Sequence, residues 1–283
     1  MLFDEHAVTF ACQDDQLMGI LSLPQQPARR GVLVVVGGPQ YRVGSHRQFT
    51  LLARSLAAQG IAVLRFDYRG MGDSEGAARD FAQVDADLRA AVDFMTGAVA
   101  GLAEVVVWGL CDAASAALFY AATDARVVGL VLLNPWARTT DGLAKATLKH
   151  YYRGRLLAPG LWRKIAAGKF DFRAAVGSLL RLVRAAAGGG NSNGGGGDAA
   201  LALPERMLAG LAAFHGKVLL ILCPIDLTAQ EFLEMVKGSA QWQQQLAGAR
   251  VTERRLAGAD HTFSRQAWRD QVAAWTAQWI SSW

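Results

Sequence analysis

VVVWGLCDAAS, residues 105–115, is the stretch that decides the fold of this chain. Four apolar residues, a pattern typical of a strand buried on both faces, lead through Gly109 and Leu110 to Cys111. An alanine-rich helical stretch follows at once. A nucleophile on such a strained strand-to-helix turn is held above the end of a sheet. The segment therefore predicts a nucleophile elbow in which Cys111 takes the place of the usual serine.

The residues around Cys111 fit this interpretation. Gly109 and Ala113 are small, as a tightly packed turn requires, although Ala113 stands where the common pattern has a second glycine. A helix N-terminus aimed at the sulfur would favour the thiolate. The backbone N–H of Asp112, the residue after the nucleophile, is predicted to donate to an oxyanion. A free cysteine is often only a small buried apolar residue, but the strand–turn–helix context favours catalysis here.

Strand-like and helix-like stretches alternate on both sides of this segment. The predicted strands are 8–12, 17–23, 31–36, 61–66, 105–108, 127–133, 217–223 and 250–256. The predicted helices are 47–59, 80–95, 112–122, 230–246 and 265–280. Such alternation implies right-handed crossovers and a mostly parallel sheet with helices on both faces. We expect an α/β fold with eight strands.

The alternation stops between residues 136 and 215, where the sequence has only basic amphipathic stretches and no buried-strand pattern. We predict that 136–215 is a helical cap inserted into a core made of 1–135 and 216–283. Residues 188–197 of the cap contain only Gly, Asn and Ser, so this part is expected to be flexible and exposed.

A cysteine nucleophile needs a base, and the base needs an orienting acid. His261 directly follows the last predicted strand, whereas the other four histidines (His6, His46, His150 and His215) precede the sheet, follow an early loop or lie within or beside the cap. Asp226 comes after the strand at 217–223, where a carboxylate could orient His261. Asp260 is a competing acid, but adjacent loop residues rarely face each other. We predict Cys111, His261 and Asp226 as the catalytic residues.

The second oxyanion donor is expected in the loop after the strand at 31–36, which reads Gly37-Gly38-Pro39-Gln40. Glycines allow the backbone to approach a developing negative charge closely. Because Pro39 has no N–H, Gly38 is the first candidate, and the backbone or side chain of Gln40 is the alternative. The loop matches no phosphate-binding glycine motif.

Composition limits the class of protein. The chain has 52% hydrophobic and 19% charged residues, which is typical of a globular enzyme. Three widely spaced cysteines suggest a reducing compartment, and neither a signal peptide nor a membrane span is expected.

The positive charge of the chain is unevenly distributed. The net charge is +5, yet residues 138–184 alone hold eleven Lys or Arg against two Asp. No nucleic-acid-binding motif accompanies this charge, so an anionic partner or a solvated surface is the better interpretation.

The motifs together resemble the α/β-hydrolase superfamily. They are the D-x-R-G-x-G-x-S pattern at 67–74, the elbow at Cys111, Asp226 after a late strand and Gly258-x-x-His261. The stretches at 37–49, 109–112 and 226–232 further resemble the hydrolases associated with the bacterial exosortase A system, a family that accompanies PEP-CTERM protein sorting and exopolysaccharide loci. This resemblance implies a cytoplasmic bacterial enzyme without a metal. Dienelactone hydrolases share a cysteine elbow, but the basic cap is unlike their compact form.

These features predict a hydrolase that acts on an ester or thioester through an acyl-enzyme, with no cofactor. Acyl transfer is the first alternative, since a thioester intermediate retains much of the acyl group's transfer potential. Coenzyme A or an acyl carrier protein would then complement the basic cap. The second alternative is a binding protein that keeps the hydrolase fold without turnover. Binding of nucleic acid or membrane would rest on charge alone.

Overall fold

A computed structural model of the protein describes residues 2–38, 40–137 and 201–283. Eight strands form one sheet. They are β1 (Phe3–Cys12), β2 (Asp15–Pro24), β3 (Arg30–Val35), β4 (Val63–Phe66), β5 (Glu104–Leu110), β6 (Val127–Leu133), β7 (Lys217–Leu222) and β8 (Val251–Arg255).

The strand order is β1-β2-β4-β3-β5-β6-β7-β8. β2 pairs antiparallel with both of its neighbours, and every pairing from β4 to β8 is parallel. β1 and β2 form a hairpin, whereas the parallel strands are joined by longer crossovers, as parallel pairing requires. The predicted eight-stranded, mostly parallel sheet is confirmed.

Seven α-helices lie in the described residues. They are α1 (Gln48–Ala57), α2 (Asp85–Ala98), α3 (Asp112–Tyr120), α4 (Leu203–Ala213), α5 (Leu227–Lys237), α6 (Ala240–Leu246) and α7 (Gln266–Ser281). Short 3-10 turns occur at Ser45–Arg47, Phe81–Gln83 and Ala121–Thr123. None of the described helices combines the length and the apolar character needed to cross a bilayer.

The core consists of two buried clusters, one on each face of the sheet. Leu33 and Val35 of β3 belong to one cluster, and Val32 and Val34 belong to the other. Successive side chains of a strand point to opposite faces, so a strand covered on both sides must be apolar throughout. Helices α2 to α6 contribute to the first cluster, and α1 and α7 contribute to the second.

The prediction of a single helix at 230–246 is wrong. The structure has two helices, because the first ends at Gly238 and Ser239 begins the second by accepting a hydrogen bond from the Trp242 N–H at 3.4 Å. Serine is a preferred N-cap because its hydroxyl oxygen satisfies an N–H that the new helix leaves free. Phe232 and Trp242 from the two helices pack edge to face.

Most of the predicted cap, including 188–197, lies outside the described residues, and its division from the core stays a prediction. The end of the predicted cap, residues 201–215, is described and contains α4. Met207 and Leu211 of this helix are buried in the cluster that also contains α3. A Cβ at Gly210 would lie 2.1 Å from the carbonyl oxygen of Leu118, so glycine permits direct contact between α4 and α3.

Candidate active site

Cys111 lies between β5 and α3 at the carboxyl edge of the sheet. Its backbone angles are φ 63° and ψ −123°, a region that is strained for a residue with a side chain and costs about 1–3 kcal/mol. A Cβ at Gly109 would lie 2.6 Å from the carbonyl carbon and oxygen of Ala113, so only glycine allows the strand and helix to approach this closely. The side chain of Cys111 is partly exposed. This is the geometry expected of a nucleophile elbow.

The chain that follows β6 supports the elbow from the side. The carbonyl oxygen of Cys111 accepts hydrogen bonds from the N–H groups of Ala114 and Trp136, each at 3.1 Å. Ser115 in turn donates its hydroxyl to the carbonyl of Trp136 at 2.7 Å. The Cys111 N–H donates to the carbonyl of Leu133 at 2.9 Å. The contact between Ser115 and Trp136 could not be read from the sequence, because residues 21 positions apart meet only through the folded sheet.

The structure brings His261 and Asp226 together from two separate loops. Asp226 follows β7 and caps α5, where its Oδ1 accepts the Thr228 N–H at 3.2 Å. Its Oδ2 lies 2.7 Å from Nδ1 of His261, in the loop after β8. Asp226 is buried, with 8% of its surface exposed. An aspartate that is held by its own helix cap has little freedom to turn away from the imidazole.

The environment of His261 favours the protonated imidazole. Its pKa is raised to about 10, first by the hydrogen bond to Asp226 and next by a hydrogen bond with the Cys111 side chain, against the opposing effect of burial. The imidazolium is therefore the main form at neutral pH. A positive ring next to the sulfur stabilises negative charge on it. The imidazole of His261 thus bonds to the Asp226 carboxylate, and its pKa also responds to the Cys111 side chain.

Asp260, the competing acid, has other partners. Its carboxylate accepts hydrogen bonds from the Ser264 N–H at 3.0 Å and from the Ser264 hydroxyl. The pKa of Asp260 is lowered because hydrogen bonds from Ser264 and Thr262 outweigh its burial. Asp260 therefore shapes the loop that carries His261, and the carboxylate that accepts the hydrogen bond of the imidazole is that of Asp226.

Two of the residues predicted to form the oxyanion site, Gly38 and Gln40, have hydrogen-bond partners within the protein. The Gly38 N–H donates to Oδ2 of Asp112 at 2.9 Å. The Gln40 side chain accepts the Ser45 N–H at 3.0 Å through its carbonyl oxygen, which braces the loop after β3. The oxyanion role of Gly38, Asp112 and Gln40 stays a prediction.

The remaining cysteines are poor nucleophiles. Cys12 and Cys223 are buried, and burial is the main cause that raises the pKa of each thiol, that of Cys223 to about 11. The described histidines other than His261, which are His6, His46 and His215, are exposed. His150 lies outside the described residues.

The segment at 67–74 holds the neighbouring loops in place. Asp67 is fully buried and accepts the backbone N–H of Arg42 at 2.6 Å, and it also pairs with the Arg42 guanidinium. Arg69 forms a buried ion pair with Asp87 at 3.0 Å. Arg42 lies in the stretch at 37–49, but its partner in space could not be identified from the sequence. No group of three or more His, Cys, Asp or Glu suited to a metal occurs among the described residues.

Comparisons with known proteins agree with this fold. The profile of the alpha/beta hydrolase family matches residues 32–275. No curated protein matches the chain. The solved esterase of Pyrococcus furiosus is 16% identical, with a TM-score of 0.66 over 99% of this chain and 92% of its own. Dienelactone hydrolase from Anabaena variabilis is also 16% identical, with a TM-score of 0.62 over 100% of this chain and 99% of its own. An α/β serine hydrolase without lid from Xanthomonas campestris is 17% identical, with a TM-score of 0.57 over 99% of this chain and 96% of its own.

Proposed function

The chain belongs to the alpha/beta hydrolase family, and from this premise we propose that it hydrolyses an ester or thioester through an acyl-enzyme on Cys111. The observation that carries the proposal is the series of Cys111, His261 and Asp226. Cys111 lies on a strained elbow, its side chain contributes to the raised pKa of His261, and Nδ1 of that imidazole lies 2.7 Å from a buried carboxylate. This arrangement of nucleophile, base and orienting acid is the one that acyl transfer requires.

In the first step the Cys111 thiolate attacks the carbonyl carbon, and a carbon–sulfur bond forms while the π electrons move to the oxygen. The tetrahedral intermediate collapses and breaks the bond to the leaving alkoxide or thiolate, which takes the proton of the His261 imidazolium. In the second step neutral His261 removes a proton from water as it attacks the thioester. Collapse then releases the acid and restores the thiolate with the imidazolium.

The loops around the carboxyl edge favour an apolar acyl group. Ile225 and Leu227, on either side of Asp226, are exposed, and so is Tyr41 in the loop after β3. Large exposed apolar side chains near a site mark surfaces that bind apolar ligands. The esterase and dienelactone hydrolase among the structural neighbours support a small ester as the substrate class.

Acyl transfer to or from coenzyme A or an acyl carrier protein is a second candidate, which the eleven basic residues in 138–184 favour. We further propose that the protein is one of the exosortase A system-associated hydrolases, which it resembles in sequence, and that it is located in the cytoplasm. A charge-dependent partner predicts that kcat/KM for a carrier-bound acyl group falls as ionic strength rises, while a neutral ester is unaffected.

The test is intact-protein mass spectrometry after brief exposure to p-nitrophenyl butyrate or butyryl-coenzyme A. We expect an acyl adduct on the wild type, none on Cys111→Ala, and a strongly reduced rate of adduct formation and turnover for His261→Ala. Cys12→Ala is the matched control, because Cys12 is buried away from the site and its loss should leave the adduct unchanged.

The decay of the adduct separates the two candidates. Decay in water alone indicates a hydrolase, and decay that requires an added thiol acceptor indicates a transferase. An adduct that survives in Cys111→Ala would refute the assignment of the nucleophile. No adduct and no turnover with either class of donor would favour a binding protein.

A further inference from the structure

The side chain of Asp112 lies where the proposed reaction needs an empty site for the substrate oxygen. Its Oδ2 accepts the Gly38 N–H and its Oδ1 accepts the Ala113 N–H, both at 2.9 Å. Gly38 belongs to the loop after β3, and Ala113 belongs to the first turn of α3. These are the two structural elements from which an oxyanion site at this elbow would be built. The carboxylate therefore occupies one of the two predicted oxyanion donors, the Gly38 N–H, and it also binds the neighbouring Ala113 N–H.

The physical basis of this contact is clear. N–H groups in the first turn of a helix have no acceptor within the helix, and the helix dipole favours negative charge at the same position. Hydrogen bonds from the Gly38 and Ala113 N–H groups lower the pKa of Asp112, but burial outweighs them and leaves this pKa above its ordinary value. The hydrogen bonds thus stabilise the charged form of Asp112, whereas burial destabilises it.

The fit between the loop and the carboxylate is tight. A Cβ at Gly37 would lie 2.0 Å from Oδ1 of Asp112 and 2.9 Å from the Ala113 nitrogen. While the side chain keeps this position, Oδ2 accepts the Gly38 N–H that an oxyanion would need. Each backbone N–H has a single hydrogen to donate, so the carboxylate and an oxyanion compete for it.

We propose that Asp112 controls the reactivity of the site by filling the oxyanion-binding position of the resting enzyme with its carboxylate, which must leave before an acyl donor can react. The inference rests on the proposed acyl transfer at Cys111, and it adds a regulatory step before that reaction. The Gly38 N–H becomes available to the carbonyl oxygen only after the Asp112 side chain rotates away. Reactions of the Cys111 thiolate that create no oxyanion are not subject to this requirement.

Two electrophiles distinguish this role from a simple structural one. Acylation by p-nitrophenyl butyrate places negative charge on the carbonyl oxygen and releases p-nitrophenolate. Alkylation by iodoacetamide forms a carbon–sulfur bond to a methylene group, expels iodide and creates no oxyanion. Any effect of a substitution on the reactivity of the sulfur itself enters both reactions, so the ratio of the two rate constants isolates the oxyanion site.

We expect Asp112→Ala to raise the ratio of acylation to alkylation about tenfold to a hundredfold, the range expected when hydrogen bonds to a charged group are removed. Asp112→Asn is the second variant, and it keeps the shape and an acceptor while removing the charge. Its ratio should rise by a smaller factor, because a neutral amide holds the N–H groups less strongly. If Asp112→Ala does not fold, the Asn variant decides, and an unchanged ratio there overturns the proposal.

The outcomes separate this inference from the proposed function. Acylation of the wild type with a ratio that is unchanged or lower in the Asp112 variants refutes the inference alone. Acylation of Asp112→Ala but not of the wild type supports it strongly. If Cys111 is alkylated in every protein but acylated in none, both the proposed function and the inference are wrong.

Discussion

Replacing Asp226 with asparagine should lower the pKa of His261 and reduce the fraction of imidazolium at neutral pH. The substitution keeps the size of the side chain and its ability to cap α5, but it removes the negative charge that lies 2.7 Å from Nδ1. The hydrogen bond to Asp226 is the largest cause of the raised pKa of His261, and the bond to Cys111 comes second. The change therefore removes the main reason why the imidazole is protonated at neutral pH.

The expected fall in the pKa of His261 follows from its present value and from the exposure of the ring. A rise from 6.5 to about 10 corresponds to about 5 kcal/mol in favour of the imidazolium. Since 34% of the His261 side chain is exposed and Cys111 supplies part of the effect, solvent screening reduces the share of Asp226 to about 2 kcal/mol. We expect the pKa to fall by about 1.5 units in Asp226→Asn.

The assay is NMR titration of protein labelled with carbon-13 at histidine. The chain has only five histidines, and the His261 resonance is identified by its loss in His261→Gln. Asp260→Asn is the matched control, because Asp260 bonds to Ser264 and its loss should leave the His261 pKa nearly unchanged. A fall of less than about half a unit in Asp226→Asn, or an equal fall in the control, would refute the reasoning.

The same pKa predicts how stability depends on pH. The folded-state pKa of His261 lies above the ordinary value of 6.5, so protonation contributes stability that is fully present below pH 6.5 and is lost as pH rises through about 10. The difference in unfolding free energy between wild type and Asp226→Asn should therefore narrow by about 2 kcal/mol over this interval. Urea denaturation at a series of pH values measures this difference in unfolding free energy. A difference that widens as pH rises would contradict the predicted direction.

Two further predictions concern the framework of the site. Gly109→Ala should destabilise the fold by about 2 kcal/mol or more in urea denaturation, because its Cβ would lie 2.6 Å from a backbone carbonyl of α3. Gly97→Ala in α2 is the control, where a Cβ meets no atom within 4 Å and should stabilise by about 0.5–1 kcal/mol; equal effects would contradict the argument. Arg69→Met should cost about 3–5 kcal/mol, because it leaves the fully buried Asp87 carboxylate without its ion-pair partner. The exposed Arg89→Met should change stability by less than about 1 kcal/mol, and a similar loss in both variants would show that the ion pair is not the cause.

The fold was largely predictable because its signals are local. Each buried strand reads as an apolar run, as at Val127–Leu133, where prediction and structure coincide. The elbow at Cys111 could be recognised because a strand, a small-residue turn and a helix follow one another without a gap. The break between α5 and α6 was missed, since the apolar spacing continues across Gly238 and Ser239 while the chain itself turns there.

The site was predictable only in part. The residue types and their chain order identify His261 and Asp226 as candidates, but the sequence left Asp260 open as a competing acid. The structure shows which of the two acids contacts His261, because Asp260 bonds to Ser264 and Asp226 bonds to the imidazole. The sequence indicates Asp112 as a backbone donor but does not locate its carboxylate, which accepts the N–H of Gly38.

The sequence by itself determined the eight-stranded α/β architecture and the identity of the nucleophile candidate. Both depend on periodicity and on steric rules that act between residues a few positions apart. Only the tertiary structure decided which carboxylate meets His261, which arginine neutralises Asp67, and what occupies the donors beside Cys111. Those contacts join residues 25 to 74 positions apart. Their existence depends on the packing of the whole sheet, because side-chain direction and distance are fixed only when the strands, helices and loops have come together.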